Sequence, residues 1–247
     1  MQPELPTPPR FPWTQAVLRS RVREAIRVMW TTRAAQADKQ LLESRRDAGT
    51  RGTVTGGRHM DGFASLLAEL ARQAGFSPDE IRFRTGVEVP GFYRPTKKWD
   101  VVVIRRERLC AAIEIKSMAG SYGNNLNNRS EEALGSAADI WAAYRAGTLG
   151  LHQLWLGYLF VIRDEPRSRG PVSIAQTPLR TDPIFTGTSY IDRYGILCER
   201  MVLERQYSAA AYLSSPRGTR GTYAEPRPGL GFDAFARAFF GHLIGCT

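Results

Sequence analysis

Two carboxylates and one ammonium lie at spacings that suit metal-dependent phosphate chemistry. Asp100 is near the start of an apolar segment at 99–104, and Glu114 and Lys116 lie two residues apart in a second such segment at 109–117. Residues two apart in a β-strand project from the same face, so this spacing predicts that Glu114 and Lys116 point together. Asp100 joins them only if the two segments pair in a suitable register.

A hairpin between the two segments would set that register. A three-residue turn at 106–108 pairs Ile104 with Cys110, and the same register places Asp100 opposite Glu114. Directly opposed residues lie ~4.5–5.5 Å apart, where two carboxylates can share one Mg²⁺ ion with oxygen ligands at about 2.0–2.1 Å. A neighbouring ammonium can then orient a water or neutralise developing charge, so the three residues suit phosphodiester hydrolysis.

The alternative interpretation is a surface ion pair between Glu114 and either Lys116 or Arg105, worth roughly 0–1 kcal/mol. The composition of the chain favours the catalytic interpretation. The chain has 34 basic and 24 acidic residues, a net charge of +10, and only four of the basic residues are lysines. Such a charge predicts a polyanionic partner, and the rarity of lysine makes Lys116 in a strand-like segment informative.

The composition bounds the class of protein. The chain has 247 residues, of which 43% are hydrophobic, which is typical of one globular domain. No apolar run is long enough to span a membrane, and the proline-rich start lacks the apolar core of a signal peptide. Three widely spaced cysteines argue against a disulfide framework or a zinc site, so we expect a cytoplasmic protein.

The hydrophobic periodicity predicts a mixed α/β domain over 1–247, with a central β-sheet flanked by helices. An extended lead-in is expected at 1–12 because of its prolines. The pattern predicts helices at 14–46, 61–74, 130–145, 190–213 and 232–244, and strands at 82–89, 99–104, 109–117 and 154–163. Long loops are expected at 47–58, 120–129 and 164–189.

The predicted loop at 120–129 has an unusual density of amides, and Ser130 is the expected cap of the helix that follows it. The candidate DNA contacts are Asn124, Asn125, Asn127, Asn128 and Arg129. Asparagine can bond adenine and arginine can bond guanine through two hydrogen bonds each. The alternative is turn chemistry, since asparagine tolerates left-handed backbone conformations.

Other polar residues are weaker candidates. Asp61, at the start of a helix, is either a further acidic site residue or the cap of that helix, and the cap is favoured. His59 is a candidate contact to DNA, although three scattered histidines show no metal-binding spacing. Arginines around the glycine-rich segment are candidate phosphate contacts: Arg45, Arg46, Arg51 and Arg58.

Residues 97–145 resemble the XhoI-type restriction endonucleases. The resemblance is carried by KKWDVVVI, AAIEIKS and GSYGNNLNNRSEEALGSAADIWAAYR within that block, with support from GGRHMDGF at 56–63, LWLGYLFVIRDE at 154–165 and RYGILCERMVLERQYSAAAYL at 193–213. It extends over nearly the whole chain from about residue 13. Trp99 stands where the wider PD-(D/E)xK nuclease motif commonly has proline, a position at which many members vary.

This resemblance implies a mixed sheet flanked by helices, dependence on Mg²⁺, a homodimer, and staggered cutting of double-stranded DNA within CTCGAG. It implies that Asp100 is the first acidic residue of the motif and that Glu114 and Lys116 form its second part, with Asp100 and Glu114 holding the metal. A cognate DNA methyltransferase would be a functional partner without physical association. The rivals are a repair nuclease of the same fold and a non-catalytic DNA-binding module.

A homodimer needs an interface, and the predicted 190–213 helix offers one. Tyr194, Leu197, Cys198 and Met201 share one face of that helix. We expect this face to meet the partner subunit, because a two-fold axis in the protein matches the axis of a palindrome. The alternative is that the face packs inside its own protomer.

Overall fold

A five-stranded mixed β-sheet forms the centre of the computed structural model, which describes residues 10–44, 58–150 and 153–247. The helices are α1 (Gln15–Ser44), α2 (Asp61–Gln73), α3 (Tyr122–Arg145), α4 (Pro166–Arg169), α5 (Tyr190–Leu203) and α6 (Phe232–Ile244). The strands are β1 (Ile81–Phe83), β2 (Glu88–Pro90), β3 (Thr96–Lys98), β4 (Val101–Arg105), β5 (Arg108–Met118), β6 (Trp155–Arg163) and β7 (Ala209–Ser215).

The sheet has the order β1-β4-β5-β6-β7 and joins two kinds of pairing. β1, β4 and β5 are antiparallel, whereas β6 and β7 continue the sheet in parallel to β5. Parallel neighbours need long crossovers, and helix α3 supplies the one between β5 and β6. β6 is buried along nearly its whole length, as its apolar sequence predicts for a central strand.

Two hydrophobic clusters lie on opposite faces of the sheet. One contains the buried faces of α1, α2 and α6 with Ile113 and Ile115 of β5. The other contains buried residues of α3 and α5 with Tyr158 and Phe160 of β6. This layering confirms the predicted α/β class with a mixed sheet flanked by helices. In the part of the chain that the structure describes, no helix is both long and apolar enough to cross a membrane.

The β4–β5 hairpin has the predicted register at the site but a different turn. Ile104 pairs with Leu109, so the predicted pairing of Ile104 with Cys110 is wrong. The turn has two central residues, Arg106 and Glu107, both with positive φ, as hairpin turns of this length require. An irregularity between Val103 and Ile104 then adds one residue to β5.

The polar segment before α3 is helical, so the predicted loop at 120–129 and the cap at Ser130 are wrong. α3 begins at Tyr122, directly after Ser121 in a left-handed conformation with φ of 51°. Ser130 lies inside the helix, and its hydroxyl donates to the Leu126 carbonyl at 2.9 Å. Each asparagine costs only a fraction of a kcal/mol in a helix, ~0.7 at most, which the long amphipathic remainder of α3 offsets.

Three further boundaries differ from the predicted ones. The segment at 190–213 divides into α5 and the strand β7, whose three alanines favour a helix until pairing with β6 overrides that propensity. The strand predicted at 82–89 divides into β1 and β2, and β2 pairs with β3 outside the main sheet. The predicted loop at 164–189 contains α4.

Some predicted features fall on residues outside the described ranges. These include most of the lead-in at 1–12, nearly all of the loop at 47–58, and the arginines Arg45, Arg46 and Arg51.

Candidate active site and its surroundings

Asp100 and Glu114 meet where β4 begins and β5 crosses the sheet. Val101 pairs with Ile113, and continuing that register places Asp100 opposite Glu114. The Asp100 backbone N–H donates to the Ile113 carbonyl at 3.0 Å, and the Ile115 N–H donates to Asp100 Oδ2 at 2.6 Å. These two bonds hold the Asp100 carboxylate against β5, so the structure brings the two predicted acidic residues together.

Two lysines clamp the Glu114 carboxylate, which is only 7% exposed. Lys116 contacts Oε1 from the next outward position on β5. Lys97 of β3 lies 2.5 Å from Oε2, and its ammonium stands 4.2 Å from the centre of the Trp99 ring. The predicted trio of Asp100, Glu114 and Lys116 is therefore assembled, with a second ammonium added to it.

Lys97 was not among the site residues predicted from the sequence. It is one of only four lysines and begins the block that carries the family resemblance, so a signal was present. Its position depends on the β2–β3 hairpin, whose strands have three residues each and are too short for a clear periodicity.

The charges at this site perturb one another. Burial and the neighbouring Glu114 charge raise the pKa of Asp100 to about 6. Burial alone would raise the pKa of Glu114, but the ammoniums of Lys97 and Lys116 hold it below its ordinary value. The pKa of Lys116 is raised despite its burial, because Glu114 stabilises the charged form. Glu114 is thus the ionised carboxylate, and Asp100 is the one that holds a proton more readily.

A cleft of about 850 Å³ opens beside the two carboxylates and Lys116. Asp61 lines its wall, and Asp61 Oδ2 accepts from Arg84 Nε at 2.9 Å. The favoured interpretation of Asp61 as a helix cap is wrong, since Asp61 is the first residue within α2 and Met60 occupies the cap position without a side-chain bond. Arg58 also lines this cleft, as a phosphate contact would require.

A shallower depression of about 430 Å³ opens on the other side of Glu114 and Lys116. Three basic side chains line it with them: Arg94, Lys97 and Arg129. The exposed carboxylates at its rim are Glu131 and Glu132. Glu114 and Lys116 therefore lie between two openings, and the second is lined by four basic and three acidic side chains.

The predicted DNA contacts occupy the first two turns of α3, and those with described side chains do not share one surface. Asn127 and Asn128 are exposed, whereas Asn125 is half-buried and donates to the Ser121 carbonyl at 2.9 Å. Arg129 faces the depression beside Lys116. The side chain of Asn124 lies outside the described residues.

His59 belongs to a polar cluster on the other face of β5. Its Nε2 lies 2.7 Å from Ser117 Oγ and 3.2 Å from the Arg33 guanidinium. Burial and the Arg33 charge lower the pKa of His59 to about 4, so the ring is neutral near pH 7. These contacts hold the ring beside the end of β5.

The face of α5 expected at a dimer interface is covered by its own protomer. Tyr194, Cys198 and Met201 are at most 1% exposed and lie in the core cluster between α5 and the sheet, and Leu197 packs against that cluster. The predicted interface is therefore wrong. The apolar face of α5 packs against β6 and β7. The sequence pattern predicts a buried face but does not show whether the sheet or a partner subunit covers it.

The candidate site contains carboxylate oxygens, which are hard donors. In the ranges 10–44, 58–150 and 153–247, no group of three or more His, Cys, Asp or Glu side chains could hold a metal ion. Asp100 and Glu114 supply two carboxylates. Magnesium is commonly held by one or two carboxylates, with waters and substrate phosphate oxygens completing its octahedron, so this pair fits such an ion.

Comparison with known proteins identifies the family of the chain. The family model "Restriction endonuclease XhoI" matches residues 39–225. The chain is 41% identical over 209 residues to the type II restriction enzyme BstVI of Geobacillus stearothermophilus, covering 81% of this chain and 93% of the relative. It is 40% identical over 180 residues to the type II restriction enzyme XhoI of Xanthomonas vasicola, covering 71% of each chain.

A third relative, the type II restriction enzyme AbrI of Azospirillum brasilense, is 40% identical over 151 residues, which cover 60% of this chain and 68% of the relative. No solved structure matches the chain significantly. The family match spans both β-strands that carry Asp100, Glu114 and Lys116. The chain therefore belongs to the XhoI family of type II restriction endonucleases, which are site-specific deoxyribonucleases acting on double-stranded DNA.

Proposed function

We propose that this restriction endonuclease cleaves CTCGAG with Mg²⁺, and that Asp100, Glu114 and Lys116 form its catalytic site. The observation that carries the assignment is the buried Glu114 carboxylate, held by Lys116 next to Asp100 at the mouth of an open cleft. A buried ion pair is expensive to form, and an opening toward it leaves the charges available to a substrate.

Asp100 and Glu114 would hold the magnesium ion. When bound, the ion supplies Lewis-acid stabilisation of the negative charge that develops on the phosphate. Asp100 presents one carboxylate oxygen to the Ile115 N–H, which fixes the direction of its other oxygen. The raised pKa of Asp100 also means that a nearby cation favours loss of its proton.

Lys116 has the position to orient the attacking water and to stabilise charge on the phosphoryl oxygens. It is 26% exposed at the boundary between the two openings, so its ammonium can reach a substrate while remaining tied to Glu114. Lys97 is only 12% exposed and lies on the opposite carboxylate oxygen. We assign Lys97 to positioning Glu114.

Asn127, Asn128 and Arg129 offer a test of how the DNA is read. Asn127→Ala and Asn128→Ala should reduce discrimination between the target and single-base variants by ~1–3 kcal/mol for each lost bidentate contact. Arg129→Ala should weaken binding to all duplexes alike, because this side chain lies in the depression beside Lys116, where a phosphate contact is expected. Competition binding against a panel of single-base variants measures both effects. Uniform weakening by the asparagine variants would show that they contact the backbone.

A homodimer would match the two-fold symmetry of a palindrome, because one site of this kind cuts one strand at a time. Light scattering on the free protein should give about twice the mass of the chain. Cleavage of a supercoiled plasmid with one target should yield linear product with little nicked intermediate. A monomer that accumulates nicked DNA would contradict the dimer.

The proposed function is tested by digesting phage DNA with Mg²⁺ and sequencing the fragment ends. We expect all ends to derive from CTCGAG, with staggered cuts, and no cleavage in excess EDTA. Substrate pre-methylated at this sequence should resist cutting, as a cognate methyltransferase would require. Ends without a common sequence would instead support a repair-type nuclease, and intact DNA would support a non-catalytic binding module.

A further inference from the structure

The turn at 91–95 between β2 and β3 presents two aromatic side chains to solvent. Phe92 is 56% exposed and Tyr93 is 76% exposed, and their rings meet edge to face with centroids 5.0 Å apart. Exposed aromatic pairs bury little of their own apolar surface. Such a pair at the tip of a hairpin indicates contact with another molecule.

This turn is held rigidly from below by one buried carboxylate. Asp139 of α3, 4% exposed, accepts from the Phe92 N–H at 2.9 Å and the Tyr93 N–H at 2.8 Å through Oδ1. Its Oδ2 accepts from Arg94 Nε at 2.7 Å. Gly91 completes the fit, because a Cβ there would lie 2.6 Å from the Arg94 carbonyl oxygen and 2.7 Å from Asp139 Oδ2. The backbone beneath the two rings is therefore fixed before any partner binds.

The turn is continuous with the catalytic site. Lys97, on the strand that leaves the turn, contacts Glu114 directly. Four residues of extended chain span at most ~14 Å, so Tyr93 lies within that distance of Lys97, backbone to backbone. B-DNA grooves are about 6 Å wide on the minor side and about 12 Å on the major side. A duplex whose scissile phosphate lies beside Lys116 and the metal that Asp100 and Glu114 would hold could therefore bring a groove within reach of the turn.

Cations lie around the turn within reach of a DNA backbone, each next to a carboxylate. Arg94 pairs with Asp139 and Lys98 pairs with Glu88. Arg94 is 44% exposed and lines the depression that contains Lys97, Lys116 and Arg129. Lys98, at the other edge of the same hairpin, is 78% exposed. Exposed cations next to projecting aromatic rings allow contacts to phosphates together with packing of a side chain against base pairs.

We propose that the 91–95 turn is a preorganised aromatic wedge, which packs Tyr93, braced by Phe92, against base pairs in a groove next to the phosphate that is cut. This inference rests on the proposed function for the location of the DNA. Its consequences for DNA binding and base stacking can be measured without cleavage, so the two proposals can fail separately.

The experiment measures binding in EDTA to a duplex that contains CTCGAG. Tyr93→Ala should raise the Kd by roughly 5- to 150-fold, the range expected for loss of one aromatic–base contact. Tyr93→Phe keeps the ring and should bind within about twofold of the wild type. Leu203→Ala is the matched control, since Leu203 is 72% exposed on α5 and its truncation should leave the Kd unchanged.

A second measurement uses permanganate, which oxidises thymines that have lost stacking. Wild-type protein should make a thymine at or beside the target hyperreactive, and Tyr93→Ala should abolish that signal. Unchanged Kd and unchanged thymine reactivity for Tyr93→Ala would overturn the proposal. A halved mass of the free Tyr93→Ala protein in sedimentation would also overturn it, because the turn would then be a contact between protomers. Wild-type binding and hyperreactivity without cleavage in Mg²⁺ would support the wedge and overturn only the proposed catalytic function.

Discussion

Glu114→Gln should reduce the rate of DNA cleavage by at least about 10³-fold, because it removes a negative ligand that the proposed magnesium ion requires. The reaction loses several kcal/mol of stabilisation in its transition state, and the neutral amide cannot replace the charge. Glu131→Gln is the matched control, since the same substitution is made at an exposed carboxylate on the rim of the same depression. It should leave the cleavage rate nearly unchanged.

The same variant should also be less stable. Glu114 neutralises Lys97 and Lys116, which are only 12% and 26% exposed, so its loss leaves two partly buried ammoniums facing each other. Removing one partner of a buried ion pair is strongly destabilising, and the residual exposure of the lysines reduces the expected loss here to roughly 1–3 kcal/mol. Denaturant unfolding in EDTA measures this difference. A Glu114→Gln variant that cleaves at near wild-type rates in Mg²⁺ would contradict the site assignment.

Asp100→Asn should abolish cleavage and yet make the metal-free protein more stable. Burial and the Glu114 charge disfavour the ionised Asp100, whereas an asparagine oxygen can still accept from the Ile115 N–H. The pKa rises from 3.8 to about 6 on folding. That shift corresponds to roughly 2–3 kcal/mol of destabilisation at pH 7, or ~4–12 °C in Tm for a chain of this size.

The raised pKa of Asp100 makes its contribution to folding stability depend on pH. The folded state of the wild type binds the Asp100 proton more tightly than the unfolded state does, so this group favours folding below about pH 4. That contribution is lost as the pH rises through about 6. The stability difference between Asp100→Asn and the wild type in EDTA should therefore grow between pH 4 and pH 7. Asp38→Asn, which changes a carboxylate on the exposed surface of α1, is the matched control.

Opposite changes in the free energy of unfolding, caused by substitutions at two neighbouring carboxylates, are difficult to obtain by chance. If both variants lost stability equally, the pattern of charges described for Lys97, Glu114 and Asp100 would be wrong. If both variants lost cleavage while their free energies of unfolding changed in opposite directions, the two carboxylates would be identified as functional groups. Such groups are retained for activity even where they reduce folding stability.

The sequence was sufficient to bring Asp100, Glu114 and Lys116 together because strand alternation and hairpin pairing are local rules. The predicted turn was one residue too long, but the irregularity beside Ile104 adds the residue that restores the register toward Asp100. The buried central strand and the two-sided packing of helices also followed from apolar patterning. These features depend on period and length, which a single sequence displays.

The features that were missed depend on contacts between distant segments. Lys97 reaches Glu114 only because a short hairpin outside the main sheet folds over the site. β7 has an alanine-rich sequence that favours a helix, and its strand conformation comes from pairing with β6. A loop was predicted for the first turns of α3 because asparagine favours turns. In the structure, these residues continue a packed helix.

Single-turnover kinetics tests the claim that Asp100, Glu114 and Lys116 perform the cleavage. Wild-type, Asp100→Asn, Glu114→Gln and Lys116→Ala proteins are each bound in EDTA to a duplex containing one CTCGAG, and excess Mg²⁺ is then added. We predict that all four complexes form with similar Kd, within about tenfold, and that only the wild type cuts both strands. Cutting by any of the three variants at a rate within about tenfold of the wild type would contradict the claim.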